Sequence, residues 1–408
     1  MQNRLSALSA SVLEDARRRM RPLQPLARKW LGRPFPAQAP KRILLVYMPD
    51  KIAWPQFYPF FHYEDRFAKQ GYAFRAVPFP AAGADRLAED ATAIFLQAPY
   101  VPQPLEIESV LERLKRLNPV APITFFDWFA PTDARFAGQV ADHVAFYAKK
   151  ALLRDRRYYA EPQSTHTALE AYYSTLFGLK PDEPDWDCRP DIVDRLVLAP
   201  GFATAPALLK RAERLERTPR GPRTIDIHAR FATASAGLRL SGRDNMEERT
   251  HWYVAMRKHA HEKVAALAQR HAVAWQGRVN GAAFMAELER SQLCFSPFGF
   301  GELCWRDIEA ILAGAVLVKP DMAHLECFCD LYQPGETYVP VRWDLADLDE
   351  TVAELLANPD ECRAIAERAF VALKAYIAGP ELDALLNRLT TGAPPKPEAM
   401  VSPVQGKE

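Results

Sequence analysis

The stretch "FSPFGFGELCWRDIEAILAGAVLVKPD", Phe295 to Asp321, sets a buried strand end, a turn carrying Gly299 and Gly301, a helical run, a small-residue pair and a second apolar strand side by side. That strand, helix, strand order is the unit of a parallel sheet covered by helices. A helix start offers unpaired backbone N–H groups, which favour an anion, phosphate above all. With the helix beginning near Glu302, the spacing puts Glu302, Arg306 and Glu309 on one face, since seven residues close about two turns, or roughly 10 Å. Arg306 then offers a guanidinium fork to phosphate oxygens, and Glu309 accepts from paired sugar hydroxyls. The structural alternative is an exposed i, i+4 pair between Glu302 and Arg306, worth about 0.2 to 0.5 kcal/mol.

The same rhythm extends in both directions. Upstream, "TIDIHA", "AVAWQG" and "LCFSPF" read as strands, and downstream "TYVPV" does. Helices are expected near His251, Gly281, Glu302 and Asp347. A first set comprises Ile43 to Tyr47, "AVPFP", "ATAIFLQAP" and "APITFFDWF", alternating with helical segments such as "EIESVLERLKRLNP". A long helix is expected through "ARFAGQVADHVAFYAKKALLRD", capped by Thr132 with Asp133 in its first turn. "RTPRGPR", Arg217 to Arg223, marks the boundary between the sets. The chain of 408 residues thus divides into a basic extension at 1–40, an α/β domain at 41–216, a second at 217–390, and a tail at 391–408 too poor in apolar residues to pack. Both domains are α/β and Rossmann-like, and their cleft is the natural ligand site.

A net charge of +1 excludes a broad field for nucleic acid, and no window approaches the roughly 18 apolar residues of a membrane span. The start "MQNRLSALSASVLEDARRRM" lacks a secretory apolar core, which places the chain in a reducing cytoplasm with free thiols. The basic run around Arg17, Arg18, Arg19, Arg21, Arg28, Lys29 and Arg33 reads as a solvated helix or, alternatively, as a peripheral anchor on anionic lipid. Cys327 and Cys329 form a lone CxC without zinc spacing, and no metal cluster or hydrolase triad is apparent; His259 and His261, two apart on a helix, diverge.

"WRDIEAILAGAVLVKP" resembles the donor-binding segment of GT-B glycosyltransferases, with Glu309, Ala313, Gly314 and Val318 at the matching places. The exostosin-like branch is similar in having an arginine three residues before the acid, here Arg306. The resemblance runs on through "ETYVPVRWDLADLDETVAELLANPDECRAIAERA" and covers about 125 residues of the C-terminal third. "FDWFAPTDARFA" and "IDIHAR" are similar to segments of bacterial surface-polysaccharide transferases. Retaining members separate two glutamates by eight residues; Glu302 and Glu309 are seven apart and Gly301 holds the first place, so inversion and retention stay open.

The resemblance implies two Rossmann-like domains facing a cleft, with a nucleotide-sugar donor in the second domain. It further implies a glycan or glycolipid acceptor against the first, and transfer without a metal or other cofactor. Gly299, Gly301, Glu302, Arg306 and Glu309, with Arg230 beyond "TIDIH", are then the donor-binding set. His228 reads as a structural histidine. Asp127, closing "PITFFD", is the candidate base for the acceptor hydroxyl, ahead of Asp50 and His62. An epimerase or pyruvyl transferase on the same architecture, or a non-catalytic sugar-binding subunit, are the competing readings.

Overall fold

The strand Lys41–Tyr47 (β1) is apolar from Ile43 onward and buried there, which only a strand covered on both faces tolerates. In the computed structural model, which describes residues 34–79, 85–99, 104–181, 184, 188–232 and 251–392, it lies in a six-stranded sheet. The other strands are Tyr72–Pro78 (β2), Ala93–Leu96 (β3), Ile123–Asp127 (β4), Phe146–Lys149 (β5) and Leu196–Leu198 (β7), in the order β2-β1-β3-β4-β5-β7. Every pairing in it is parallel. The basic run upstream of residue 34 and the tail beyond residue 392 lie outside the described residues.

A second, five-stranded parallel sheet is built from Ile225–His228 (β8), Val273–Ala274 (β9), Ser291–Phe295 (β10), Val316–Pro320 (β11) and Val339–Val341 (β13), ordered β13-β11-β10-β8-β9. Helices Trp252–Leu267, Gly281–Glu289 and Trp305–Ala313 connect its strands. Arg223, in the linker, donates to the carbonyls of Ser291, Ala313 and Gly314 at 2.8 to 3.1 Å, tying the boundary segment to this sheet.

The expected long helix after Asp127 is absent. Ala137–Val140 forms one short helix, and the chain then enters β5 and Ala151–Leu153 (β6). The alanine-rich run satisfies helical and extended spacing alike; the vacancy beside β4 decides, because Phe146, Tyr147 and Ala148 all bury there. Thr132 consequently caps nothing.

The domains are joined by more than their linker. β6 pairs antiparallel with Leu325–Cys327 (β12), so a strand of each domain completes a two-stranded sheet across the junction. One apolar cluster runs through it, taking Trp128, Phe129 and Tyr159 from the first domain and Trp252, Phe298 and Tyr338 from the second. The last helix, Glu381–Thr391, crosses back and buries Leu382, Leu385, Leu386 and Leu389 in the first domain's core with Phe57 and Phe60. No helix among the described residues is long and apolar enough to cross a membrane.

Candidate functional site

The carboxyl ends of β8 and β10 meet where Phe298 to Cys304 loops over. This loop is closed at its base by Asp307, which is fully buried. Asp307 accepts from Ser296 Oγ at 2.6 Å, Tyr332 Oη at 2.8 Å and the Cys304 amide at 3.0 Å, and pairs with Lys319 at 3.2 Å. Cys304 returns the bond by accepting from the third helical amide. The helix therefore begins at Trp305, three residues later than the sequence suggests. Its hydrogen-bonded cap, not the glycine turn, sets the start.

That shift corrects the expected geometry. Glu302 lies in the loop, 3% exposed, and turns toward the first domain, where its Oε2 accepts from Thr132 Oγ1 at 2.6 Å. It shares no helical face with Glu309, and no exposed pair with Arg306 forms. Burial alone would raise the Glu302 pKa; His324 and Thr132 outweigh it and hold the carboxylate below its ordinary range. Gly301 is required for contact between domains, since a Cβ there would sit 1.9 Å from the Ala130 carbonyl oxygen. Gly299 faces the other way, its amide donating to the Gly301 carbonyl at 2.9 Å.

Arg306 is half-buried at the mouth, with Nε donating to the Arg230 carbonyl at 3.1 Å and Nη1 to Ser296 Oγ at 3.2 Å. Glu309, one turn on, is half-buried, and burial raises its pKa despite Arg306. Neither side chain points into bulk water. Arg230 contributes its carbonyl, not its charge: its guanidinium is forked onto Glu287, with Nη2 to Oε1 at 2.9 Å, and also meets the Gln276 carbonyl. That guanidinium, expected to face a diphosphate, is in a salt bridge in the free protein.

Asp127 is likewise bonded within the protein. It stands at the carboxyl end of β4 as expected but is 0% exposed, and its carboxylate is occupied by Lys149 Nζ at 2.6 Å, Tyr147 Oη at 2.6 Å and the Phe129 amide at 3.0 Å. In the free protein these bonds tie the end of β4 to β5. Asp50 accepts from the Ile52 amide at 2.7 Å, and His62 lies 2.8 Å from Glu213. Asp133 bonds Arg135 at 2.5 Å.

Two residues complete the site. Arg257, on the Trp252–Leu267 helix, is 7% exposed, and among the described residues no hydrogen bond or ion pair reaches its guanidinium. Burial lowers its pKa. It sits 5.3 Å from the Phe231 ring centroid, and Arg306 sits 5.9 Å from the same ring. A Cβ on Gly299 would come 3.5 Å from Arg257 Nη2, so guanidinium and glycine loop are in contact range. His228, at the end of β8, is fully buried with both ring nitrogens unpartnered, and burial, then Arg306, hold its pKa down at about 4. Glu287 is 3.8 Å from it.

Two arginines and a neutral histidine thus converge, and among the described residues no carboxylate lies at ion-pair distance from either Arg257 or Arg306. Buried charge without a counter-charge is costly, and the arrangement is relieved by a bound anion. The sequence did contain a signal for Arg257. Tyr253, Arg257, Ala260, Val264 and Leu267 recur at helical spacing, all buried, so the arginine interrupts an apolar stripe. Among the described residues no group of three or more His, Cys, Asp or Glu side chains is placed to hold a metal.

Residues 229–378, which contain Arg257, Arg306 and Glu309 but not His228, match the family model described as glycosyl transferase-like. No curated protein matches the chain. Among solved structures, Alr3699/HepE of Anabaena in complex with UDP is similar at 8% identity and a TM-score of 0.44, over 86% of this chain and 100% of that one. The UDP-forming trehalose-phosphate synthase of Burkholderia vietnamiensis is similar at 12% and 0.42, again over 86% and 100%. Sucrose-phosphate synthase of Thermosynechococcus elongatus gives 13% and 0.44 over the same shares. Residues 229–378 thus form a glycosyl transferase-like domain, in a chain built on two parallel α/β sheets bridged by the small β6–β12 sheet.

Proposed function

We propose that the protein transfers a sugar from a nucleotide-diphosphate donor, held in the second domain, to a hydroxyl of a glycan or glycolipid acceptor presented by the first. A role in surface-polysaccharide assembly at the cytoplasmic side of a membrane is the setting that this reading favours. The observation that carries it is the pair Arg257 and Arg306, converging on Phe231 without an acid between them among the described residues. The donor diphosphate supplies the missing negative charge. As the glycosidic bond to phosphate breaks, charge grows on the leaving oxygen, and guanidiniums already fixed in place stabilise it without reorganising. Glu309, half-buried and without a hydrogen-bond partner among the described residues, accepts from the nucleoside's ribose hydroxyls; Gly299 lets the backbone approach the phosphates.

A thermal-shift panel of UDP, GDP, CMP and their sugars tests the site, because a ligand selective for the folded state raises apparent stability. One nucleotide series should raise Tm in the parent and fail to do so in Arg306→Ala and Glu309→Ala. No shift with any nucleotide would reject the donor site. Product analysis separates transfer from the competing chemistries: an epimerised nucleotide sugar formed without acceptor would reject transfer.

A further inference from the structure

The loop that borders the donor site does not end there. Gly299 borders Arg257, Gly301 abuts the Ala130 carbonyl of the first domain, Glu302 accepts from Thr132, and Cys304 caps the helix that carries Arg306 and Glu309. Beyond Thr132 the connections close on themselves. The Thr132 carbonyl accepts from Tyr159 Oη at 2.8 Å, and that same oxygen accepts from the Leu153 amide at 2.9 Å. Leu153 is paired with Leu325 in the β6–β12 ladder, and the Arg154 amide donates to the His324 carbonyl at 2.9 Å. His324 Nε2 then stands 3.6 Å from Glu302 Oε1, near it but without a hydrogen bond, so this last link is a close approach only. The ring therefore crosses the domain boundary twice, and Glu302 is its one carboxylate.

We infer that Glu302 is a positioning residue that yokes the donor loop to the acceptor domain, so that occupation of the donor site and alignment of the acceptor are set by one strut. The inference rests on the proposed donor site but assigns Glu302 no contact with the donor. It follows from direction: the carboxylate faces Thr132 and His324, away from Arg257 and Arg306. A network of this kind fixes geometry at a cost in reactivity when it slips, because a shift of about 1 Å at the reacting atoms lowers turnover by up to ~100-fold.

Thr132→Val removes the hydroxyl that Glu302 holds while keeping side-chain volume, and Thr132→Ser restores it. Purified full-length protein is assayed with the nucleotide sugar that the thermal panel selects, measuring transfer to acceptor and hydrolysis by water in the same reactions. In Thr132→Val and Glu302→Gln, transfer kcat should fall about tenfold or more. Donor KM should stay within about threefold, and hydrolysis should rise relative to transfer; Thr132→Ser should return both to parental values. A donor KM that rises with kcat unchanged would place Glu302 on the donor and overturn the inference. An unchanged ratio of hydrolysis to transfer in both variants would also overturn it. If the parent turns over no donor, the proposed function fails, and the strut is then judged by small-angle scattering. A larger radius of gyration in Thr132→Val than in Thr132→Ser supports it, and equal radii reject it.

Discussion

Arg257 offers opposed expectations for stability and for binding. Replacing it with methionine keeps most of the length and apolar bulk of the side chain but deletes a charge that has no anionic partner among the described residues. An ordinary buried arginine would be missed, since breaking a buried ion pair costs about 3 to 5 kcal/mol. Here the loss is limited to ring contacts with Phe231 at 5.3 Å and Tyr253 at 5.5 Å, about 0.5 to 2 kcal/mol each. Relief of an unsatisfied guanidinium nitrogen, about 1 to 3 kcal/mol, offsets them. Net stability should therefore stay within about 1 kcal/mol of the parent, or ~2 to 4 °C in Tm for a domain of this size. Donor affinity should behave differently. A hydrogen bond to a charged group contributes about 1.5 to 3 kcal/mol, so Arg257→Met should weaken nucleotide binding by ~10- to 150-fold. Calorimetric titration of the selected nucleotide, alongside thermal melts of the free protein, measures both. A Tm that falls by about 8 °C or more while affinity is retained would show that the guanidinium serves the fold and refute the reasoning.

Three further outcomes follow from single contacts. Gly301→Ala places a Cβ 1.9 Å from the Ala130 carbonyl oxygen, so one domain's backbone must move; thermal melts should show a loss of about 1 to 3 kcal/mol, and an unchanged Tm would mean that the contact is loose. His228 titrates at about 4 in the free protein because of burial and, after it, Arg306. A bound diphosphate adds opposite charge, so NMR of the imidazole should show its pKa rising. Nucleotide binding should accordingly tighten as pH falls from the raised value toward about 4, and an unmoved titration would place the phosphates elsewhere. Asp127→Asn should cost about 3 to 5 kcal/mol in denaturant unfolding by leaving Lys149 without its partner. A normally stable Asp127→Asn protein with abolished kcat would instead return Asp127 to the role of base.

How much of this was written in the sequence depends on which interactions decided each feature. The strands of both sheets were legible because Ile43 to Tyr47 or Val316 to Pro320 bury on both faces, and a run of that kind has few other stable settings. Phe146 to Lys149 was misread because the alanine-rich run around it fits either period, and only the neighbouring β4 and β7 make it a strand. The site divides along the same line. Arg306 and Glu309 lie on a helix whose local spacing fixes their mutual placement, so their association survived the correction of the helix start. Glu302 did not share in it, since its direction is set by Thr132, 170 positions away, and by a capping bond that moved the first helical residue beyond it. Arg257 was visible as a charge on an apolar stripe, yet its meaning required knowing that no acid reaches it. A charge that no described residue answers is legible only once its neighbours have been placed, and for that reason the strongest mark of the proposed ligand is an arginine and not the glycine loop.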